Sequence, residues 1–302
     1  VKPITLRDYK QRLLRVLIHI QRHLDEPLPL ADLARIACLS PCHFHRVFSG
    51  MIGEPLHEHI RRLRLERAAF QLKLTRLPVV QVAFGAGFAT HEAFTRAFRG
   101  TFGRSPTKYR RLHAGQVTLL PRRRVHYRPD ALRDFPLHPL TSRAMKVEIV
   151  AQPPLRVAFV RNVGPYHTVG RAWDHLCTEL GRRGLLHGGA RFIGVCYDDP
   201  TVTTSAKIRY DACATVGPEF QPEGEVGVQT IPGGDFARLT HVGPYETLSQ
   251  SYAALLGQWL PRSGRELRGD PSIEEYMNSP ENTDPQDLIT DIYAPLAPVR
   301  SH

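Results

Sequence analysis

The sequence predicts a multidomain chain: an all-α unit of two helix-turn-helix pairs, then an α+β unit of two pseudo-symmetric strand-helix-strand-strand repeats. Three observations carry this expectation. Ser40-Pro41-Cys42-His43-Phe44-His45-Arg46-Val47-Phe48, closing at Gly50 and Gly53, is matched 50 residues on by Thr90-His91-Glu92-Ala93-Phe94-Thr95-Arg96-Ala97-Phe98, closing at Gly100 and Gly103. A second duplication pairs Val163-Gly164-Pro165-Tyr166-His167-Thr168-Val169 with Val242-Gly243-Pro244-Tyr245-Glu246-Thr247-Leu248, 79 residues later. Charge divides the chain as well. Residues 1–130 hold 24 Lys and Arg against 9 Asp and Glu, a net of +15, whereas residues 131–302 hold 16 against 20, a net of −4. A basic half followed by a mildly acidic one predicts two domains with different partners.

In the first unit (residues 1–113), Leu6, Leu13, Val16, Leu17, Ile20 and Leu24 recur at helical spacing and predict a packing helix that stops near Pro27. Leu30 to Ala37 reads as a short helix. Ser40 caps the next one with Pro41 at its first position. Phe44, Val47 and Phe48 then face inward, which leaves Cys42, His45 and Arg46 outward. Upstream, Leu33-Ala34 and Ala37-Cys38-Leu39 answer to Val82-Ala83 and Ala86-Gly87-Phe88 at an offset of 49, so the two turns differ by one residue.

A longer helix, from about Pro55 to Lys73, carries Arg61, Arg62, Arg64 and Arg67. About nineteen residues span roughly 28 Å, close to the roughly 34 Å between successive major grooves on one face of B-DNA. Such a helix can hold two reading heads one turn of duplex apart. In the second head Phe94, Ala97 and Phe98 pack inward, while Thr90, His91, Glu92, Thr95 and Arg96 are left outward. Arginine can fork onto guanine and glutamate can accept from cytosine, so these residue types suit base readout. Ser40, Arg62, Arg104, Lys108 and Arg110 are assigned to phosphate, which positions a protein without specifying sequence. A basic domain gains affinity for DNA through counterion release.

Residues 28–111 resemble the double helix-turn-helix of the AraC/XylS transcription regulators. The carrying residues are Ala83-Phe84-Gly85-Ala86-Gly87-Phe88, Phe94-Thr95-Arg96-Ala97-Phe98 and Gly103-Arg104-Ser105-Pro106. The resemblance implies base contact from Cys42, His45 and Arg46 in the first head and from His91, Glu92, Thr95 and Arg96 in the second. Cys42 departs from a forked reader, since a thiol can touch a thymine methyl and little else. Residues 114–145, with Pro121-Arg122-Arg123-Arg124, Pro129, Pro136 and Pro139, read as an extended, mobile linker.

In the second unit (residues 146–298) each Val-Gly-Pro-Tyr turn follows a strand-like run and precedes an amphipathic helix: Trp173, Leu176 and Leu180 in one copy, Tyr252, Leu255 and Trp259 in the other. Further strands are expected over 191–197, 207–216, 269–277 and 287–294. Two such halves make a pseudo-twofold α+β domain with a cleft at their junction. This half resembles the GyrI-like effector-binding domain. The resemblance rests on the two paired turns, Tyr197-Asp198-Asp199-Pro200, Arg209-Tyr210-Asp211-Ala212-Cys213, and Ile273-Glu274-Glu275-Tyr276 with Thr290-Asp291-Ile292-Tyr293. It implies that Glu274 sits in an aromatic-walled cleft and meets cationic, lipophilic ligands. Tyr276 lies two residues on, hence on the same strand face, and Glu275 is the outward neighbour. Tyr166, Tyr245 and Trp173 complete the candidate effector set, although tyrosines at such strand-to-helix turns more often serve packing than wall a ligand. A carboxylate in an apolar cleft is costly, and a cationic aromatic ligand would both neutralise it and bury apolar area.

Composition narrows the remaining classes. No apolar run approaches a membrane span, and the opening residues lead into an amphipathic helix rather than a signal peptide. Five cysteines, odd in number and scattered, fit reduced thiols in a cytoplasmic protein. Cys38, Cys42, His43 and His45 are potential metal ligands, but the expectation is none: Cys38 in the core, Cys42 and His45 on an exposed helix face. No Ser-His-Asp or Cys-His constellation or Gly-rich phosphate loop points to an enzyme, and no cofactor is expected. The function expected is a transcription regulator that binds double-stranded DNA and a small-molecule effector, with RNA polymerase a further partner and the membrane none. The alternatives are a hydrolase using Glu274 as general base with Tyr276 as polariser, or a ligand-free protein-interaction module.

Overall fold

The computed structural model describes residues 6–111, 125–130, 132–138, 146–186, 189–200 and 203–298. It divides into two compact units, a helical one over residues 7–139 and a second formed essentially by residues 140–302. Among the described residues no helix is long and apolar enough to cross a membrane.

The helical unit begins with α1 (Leu6–Arg22), whose Leu13, Val16, Leu17 and Ile20 are fully buried. The first head is α2 (Leu30–Ala37) and α3 (Pro41–Ile52). Ser40 caps α3 by accepting from the His43 amide, and Gly53 ends the helix at φ 83°. The second head repeats this with α5 (Val79–Gly85) and α6 (His91–Phe102), capped by Thr90 and ended by Gly103 at φ 71°. Between them runs α4 (Leu56–Leu74), 19 residues as the sequence predicts, and a short α7 (Pro106–Arg111) closes the series. Phe44, Val47 and Phe48 in one head and Phe94 and Phe98 in the other are all fully buried. Leu65, Ala68, Ala69 and Leu72 of α4 share the core of the second head with Val82, Ala83, Phe94, Phe98 and Tyr109.

The two turns differ in their left-handed residue. Gly87 sits at φ 75° in the second turn, and Cys38, its counterpart at the 49-residue offset, adopts φ 55° in the first. Cys38 is therefore an exposed turn residue. The expectation that it packs in the core is corrected: a residue whose backbone must turn left-handed leaves the helix before its side chain can reach the interior.

The linker expectation is corrected where the chain is described, whereas residues 114–124, 131 and 139–145, with the Pro121-Arg122-Arg123-Arg124 run and Pro139, lie outside the described residues. Residues 125–138 belong to the helical unit, with Val125, Leu132 and Phe135 buried. The Gln21 side chain donates to the His126 carbonyl at 2.9 Å, and the His138 amide donates to the Met51 carbonyl at 2.8 Å. Three irregularly spaced apolar residues anchor this segment, and no periodicity advertises such an anchor.

The second unit is one antiparallel eight-stranded sheet, β1 (Val147–Gln152), β2 (Leu155–Val163), β3 (Phe192–Cys196), β4 (Arg209–Thr215), β5 (Gly227–Ile231), β6 (Gly234–Val242), β7 (Ser272–Tyr276) and β8 (Ile289–Pro295). The order across the sheet is β1-β6-β8-β7-β3-β4-β2-β5. Helix α8 (Gly170–Arg182) follows β2. Helix α9 (Leu248–Ala254) follows β6 and runs through a wide turn (Leu255–Trp259) into α10 (Leu260–Ser263). The predicted strand-helix-strand-strand repeat is present twice, and each copy opens with one further strand. These extra strands are exchanged: β1 pairs with β6 of the other half, and β5 with β2. The halves meet where β3 pairs with β7, with Gly194 opposite Glu274. Ala172, Leu176 and Leu180 of α8 pack on Ala158, Val160, Cys196, Tyr210, Ala212 and Ala214 of the sheet.

Replacing Gly87 by alanine places a Cβ in the left-handed region and 2.7 Å from the Arg64 guanidinium. The substitution is expected to destabilise the helical unit by about 1–2 kcal/mol, read as a lower urea midpoint in helical circular dichroism.

Candidate functional site

The second head presents its polar row openly. Thr90, His91, Glu92 and Arg96 are exposed along the start of α6, and Arg104 and Lys108 are exposed beyond it. Thr95 is half-buried and its hydroxyl oxygen is enclosed with no hydrogen-bond partner among the described residues, so the accessible part of Thr95 excludes its polar atom. The first head differs from expectation. Ser40 is exposed and Cys42 half-buried, but His45 and Arg46 are 2% and 7% exposed. The prediction that both stand in solvent is corrected. His45 Nε2 lies 3.5 Å from Ser49 Oγ, one turn along the same helix. Among the described residues no group of His, Cys, Asp and Glu could hold a metal ion.

Most arginines of α4 have structural work. Arg62 was assigned to phosphate, and this is corrected: it is buried, forked onto Glu54, bonded to Glu66 at 2.9 Å and to the Val125 carbonyl at 2.7 Å. Burial opposes the charge of Glu54, but hydrogen bonds from His59 and Arg62 outweigh it and hold the carboxyl at about 2. Arg64 donates to the carbonyls of Leu24 and Glu26, and Arg67 to that of Gly85. Arg110, also assigned to phosphate, instead donates to the carbonyls of Leu72 and Leu77. It thereby satisfies the open end of α4.

In the second unit the expected effector residues converge on the helix-covered face of the sheet. Glu274 on β7 is 6% exposed. Its Oε1 accepts from the Tyr252 hydroxyl of α9 at 2.9 Å, and its Oε2 from the Tyr276 hydroxyl at 2.9 Å. Tyr276 and Tyr210 hydroxyls are 2.9 Å apart, and Trp173 Nε1 of α8 donates to Tyr210 at 3.2 Å. Directions follow from chemistry. An indole N–H can only donate, and a phenol has one proton. Tyr276 spends its proton on Glu274, so Tyr210 must donate to Tyr276, and every donor in the chain points toward the carboxylate.

Ring contacts complete the wall. Tyr166 meets Tyr210 at 5.9 Å, Trp173 meets Tyr276 at 5.6 Å, and Tyr245 meets Tyr276 at 5.5 Å between centroids. Burial, with the Glu274 charge second, pushes the Tyr245 phenol up from its ordinary value, and the same causes act on Tyr276. The five predicted residues are thus together, and Tyr166, Trp173, Tyr245 and Tyr276 remain partly open to solvent.

Sequence reasoning missed Tyr210, Tyr252 and Gly194. A Cβ at Gly194 would lie 2.4 Å from the Tyr210 hydroxyl, so only glycine lets that phenol cross the strand beside Glu274. The repeat held a signal for Tyr252, which is the counterpart of Trp173 at the 79-residue offset, as Tyr245 is of Tyr166.

Glu275 is not an outward neighbour. It is buried on the opposite face, paired to Arg191 at 2.7 Å and accepting from the Tyr293 hydroxyl at 2.9 Å. Burial, followed by Glu275, pushes Tyr293 up to about 12. Asp211 on that face accepts from Arg161, Tyr197 and Gln229. The arginine thus goes to Glu275, while the donors to Glu274 are both neutral phenols.

Comparison with known proteins now decides the family. Residues 145–297 match the model described as the GyrI-like small molecule binding domain. The chain belongs to the GyrI-like family. Residues 33–112 match a helix-turn-helix domain model, which places a domain of the AraC type ahead of the GyrI-like one. The chain is 37% identical over 106 residues to the probable transcriptional regulator YgiV of Escherichia coli (strain K12), covering 34% of this chain and 66% of that protein. It is 34% identical over 101 residues to the regulatory protein SoxS of Salmonella typhimurium, covering 33% of this chain and 94% of that one. The crystal structure of the EcmrR C-terminal domain is similar at 21% identity and a TM-score of 0.43, over 52% of this chain and 99% of that one.

Removing the Tyr252 hydroxyl leaves a buried carboxylate oxygen short of a donor. Tyr252→Phe is expected to destabilise the GyrI-like unit by about 1–3 kcal/mol, measured by chemical denaturation followed through near-ultraviolet circular dichroism.

Proposed function

We propose that the chain is a sequence-specific DNA-binding transcription regulator whose GyrI-like domain binds a small lipophilic cation. The observation that carries this reading is the acid-centred aromatic site in one unit, joined in one chain to two helix-turn-helix heads on a 19-residue helix in the other. The open row Thr90, His91, Glu92 and Arg96 is the readout face of the second head, with Arg104 and Lys108 on phosphate. Thr95 contributes contact through its non-polar atoms. In the first head Cys42 and Ser40 are accessible, and a base-reading role for His45 and Arg46 requires that they be uncovered on engagement. RNA polymerase is the partner through which such a regulator would act, and duplex DNA and polymerase both place its work in the cytoplasm.

The effector reading follows from charge. Glu274 is buried and its two donors are phenols, which stabilise the carboxylate yet leave its net negative charge in place. A cation with aromatic or aliphatic bulk gains Coulomb attraction, contact with ring faces and burial at one site.

Binding to a fragment selected from randomised duplexes tests the DNA half. Arg96→Ala should cost about 1–3 kcal/mol and relax preference at one base position, whereas Lys108→Ala should weaken all sequences alike and reduce the salt slope by about 1. An unchanged footprint in Arg96→Ala rejects the base assignment. For the effector half, tetraphenylphosphonium should raise the melting temperature of the whole chain. Glu274→Gln should weaken its affinity at least about tenfold, and equal affinity in the variant would remove Glu274 from the site.

A further inference from the structure

Helix α5 carries apolar side chains on both its inner and its outer side. Val82 and Ala83 are buried in the core of the second head, and Val79 packs against that core. On the opposite side Val80 and Phe84 stand one turn apart, with Leu77 just ahead of the helix. All three are exposed, Phe84 to 57%, and Leu74 at the end of α4 is exposed to 68%. Of the ten large apolar side chains exposed among the described residues, four thus fall within eleven positions. Isolated exposed apolar residues are ordinary, whereas a contiguous row marks a contact surface. A helix that is apolar all round is normally covered.

The first head supplies an internal control. At the 49-residue offset Val80 answers to Ala31, Gln81 to Asp32 and Phe84 to Arg35. Ala31 and Arg35 are exposed, and Arg35 pairs with Asp32 across one turn. Helix α2 therefore has the outer side of a solvated helix. The helix-turn-helix fold does not itself require an apolar outer row, and only the second head carries one.

Charge says what would cover it. Residues 67–111 hold 9 Lys and Arg against 1 Asp or Glu, a net of +8, and the one carboxylate is Glu92 on α6. Arginines stand at both ends of the row. Arg110 donates to the Leu77 carbonyl, and exposed Arg76 lies between Leu74 and Leu77 in the chain. At the far end Arg67 donates to the Gly85 carbonyl at 2.7 Å and pairs with Asp25 at 3.6 Å. A second copy of this surface would bring the same positive charge. Duplex DNA would meet the arginines but leave leucine and phenylalanine against phosphate. From Leu77 to Phe84 the row spans about 10 Å, two turns of a helix laid along it.

We propose that Leu74, Leu77, Val80 and Phe84 form a docking surface for an acidic amphipathic helix of a partner protein. The apolar side of that helix covers the row, and its carboxylates meet Arg76 and the neighbouring arginines. This surface does not depend on the base-reading or effector roles proposed above.

The probe is a synthetic peptide of about eighteen residues of leucine, alanine and glutamate, with the leucines along one helical side. In fluorescence anisotropy with the full chain it should bind at least about tenfold more tightly than the same residues in scrambled order. Val80→Ala/Phe84→Arg installs the first head's own residues. It should weaken the ordered peptide at least about tenfold although it adds positive charge, and should leave the urea midpoint unchanged because both side chains are exposed. Arg76→Glu should also weaken binding and reduce its salt dependence. Equal binding of ordered and scrambled peptides, or equal binding by chain and double variant, overturns the proposal. A lowered midpoint in the double variant would mean that the row is covered within the chain, which overturns it too. Self-association that the double variant abolishes gives the row to a second copy, and a double variant that keeps the peptide but loses duplex DNA gives it to DNA; either result overturns the partner helix.

Discussion

Arg62 lies on the buried face of the central helix, and a guanidinium there must be paired or the helix cannot pack. Its solution is to gather Glu54 from the turn between α3 and α4, Glu66 one turn ahead and the Val125 carbonyl from a distant stretch of chain. That single requirement determines much else. It fixes which side of α4 faces the interior and draws residues 125–127 onto the helix. The neighbouring arginines 64 and 67 are then left to brace the turn after α1 and the end of α5. Breaking one partner of such a group leaves an uncompensated charge inside, which costs more than the pair itself contributes. The spacing between the two heads is thus held by a buried polar network as well as by helix stiffness.

The GyrI-like unit meets the same constraint twice, with opposite outcomes on the two faces of one strand. Glu275 is neutralised by Arg191 and becomes part of the scaffold. Glu274, its neighbour, is given hydrogen bonds by Tyr252 and Tyr276 and no basic partner among the described residues. Phenols donate to a carboxylate without cancelling its charge, as a salt bridge would, and that difference is what the proposed cation-binding role rests on. The pseudo-twofold arrangement makes this asymmetry possible. Gly194 stands across from Glu274 and leaves room for the Tyr210 phenol, so the chain from Trp173 to the acid is continuous.

The elements that were legible are those written in local chemistry. Ser40 and Thr90 as caps, Pro41 at a first position, Gly53 and Gly103 as terminators and the inward phenylalanines each act within a few residues, so the heads could be drawn from the chain. Tyr166 and Tyr245 were legible through the repeat, whereas Glu274 and with it Tyr276 followed from the resemblance to the GyrI-like domain. Arg62 was not. Arg61, Arg62, Arg64 and Arg67 look alike in sequence, and only the residues packed on α4 separate an exposed arginine from a buried one. Arg110 was misassigned for a similar reason, since its acceptors, the carbonyls of Leu72 and Leu77, lie more than thirty residues away. His45 and Arg46 sit on the face that helical periodicity leaves outward, yet burial depends on what the rest of the chain lays over them.

By itself the sequence determined the two kinds of unit, the paired heads and the helix between them, because duplication, capping and periodicity are short-range and repeat in register, whereas Glu274 followed only from the resemblance to the GyrI-like domain. Tertiary structure alone decided which charges are spent internally and which remain available. That depends on desolvation, and desolvation is set by neighbours distant along the chain: residues 125–138 on α4, the exchanged strands β1 and β5, and the phenols that converge on Glu274 from a helix and two strands.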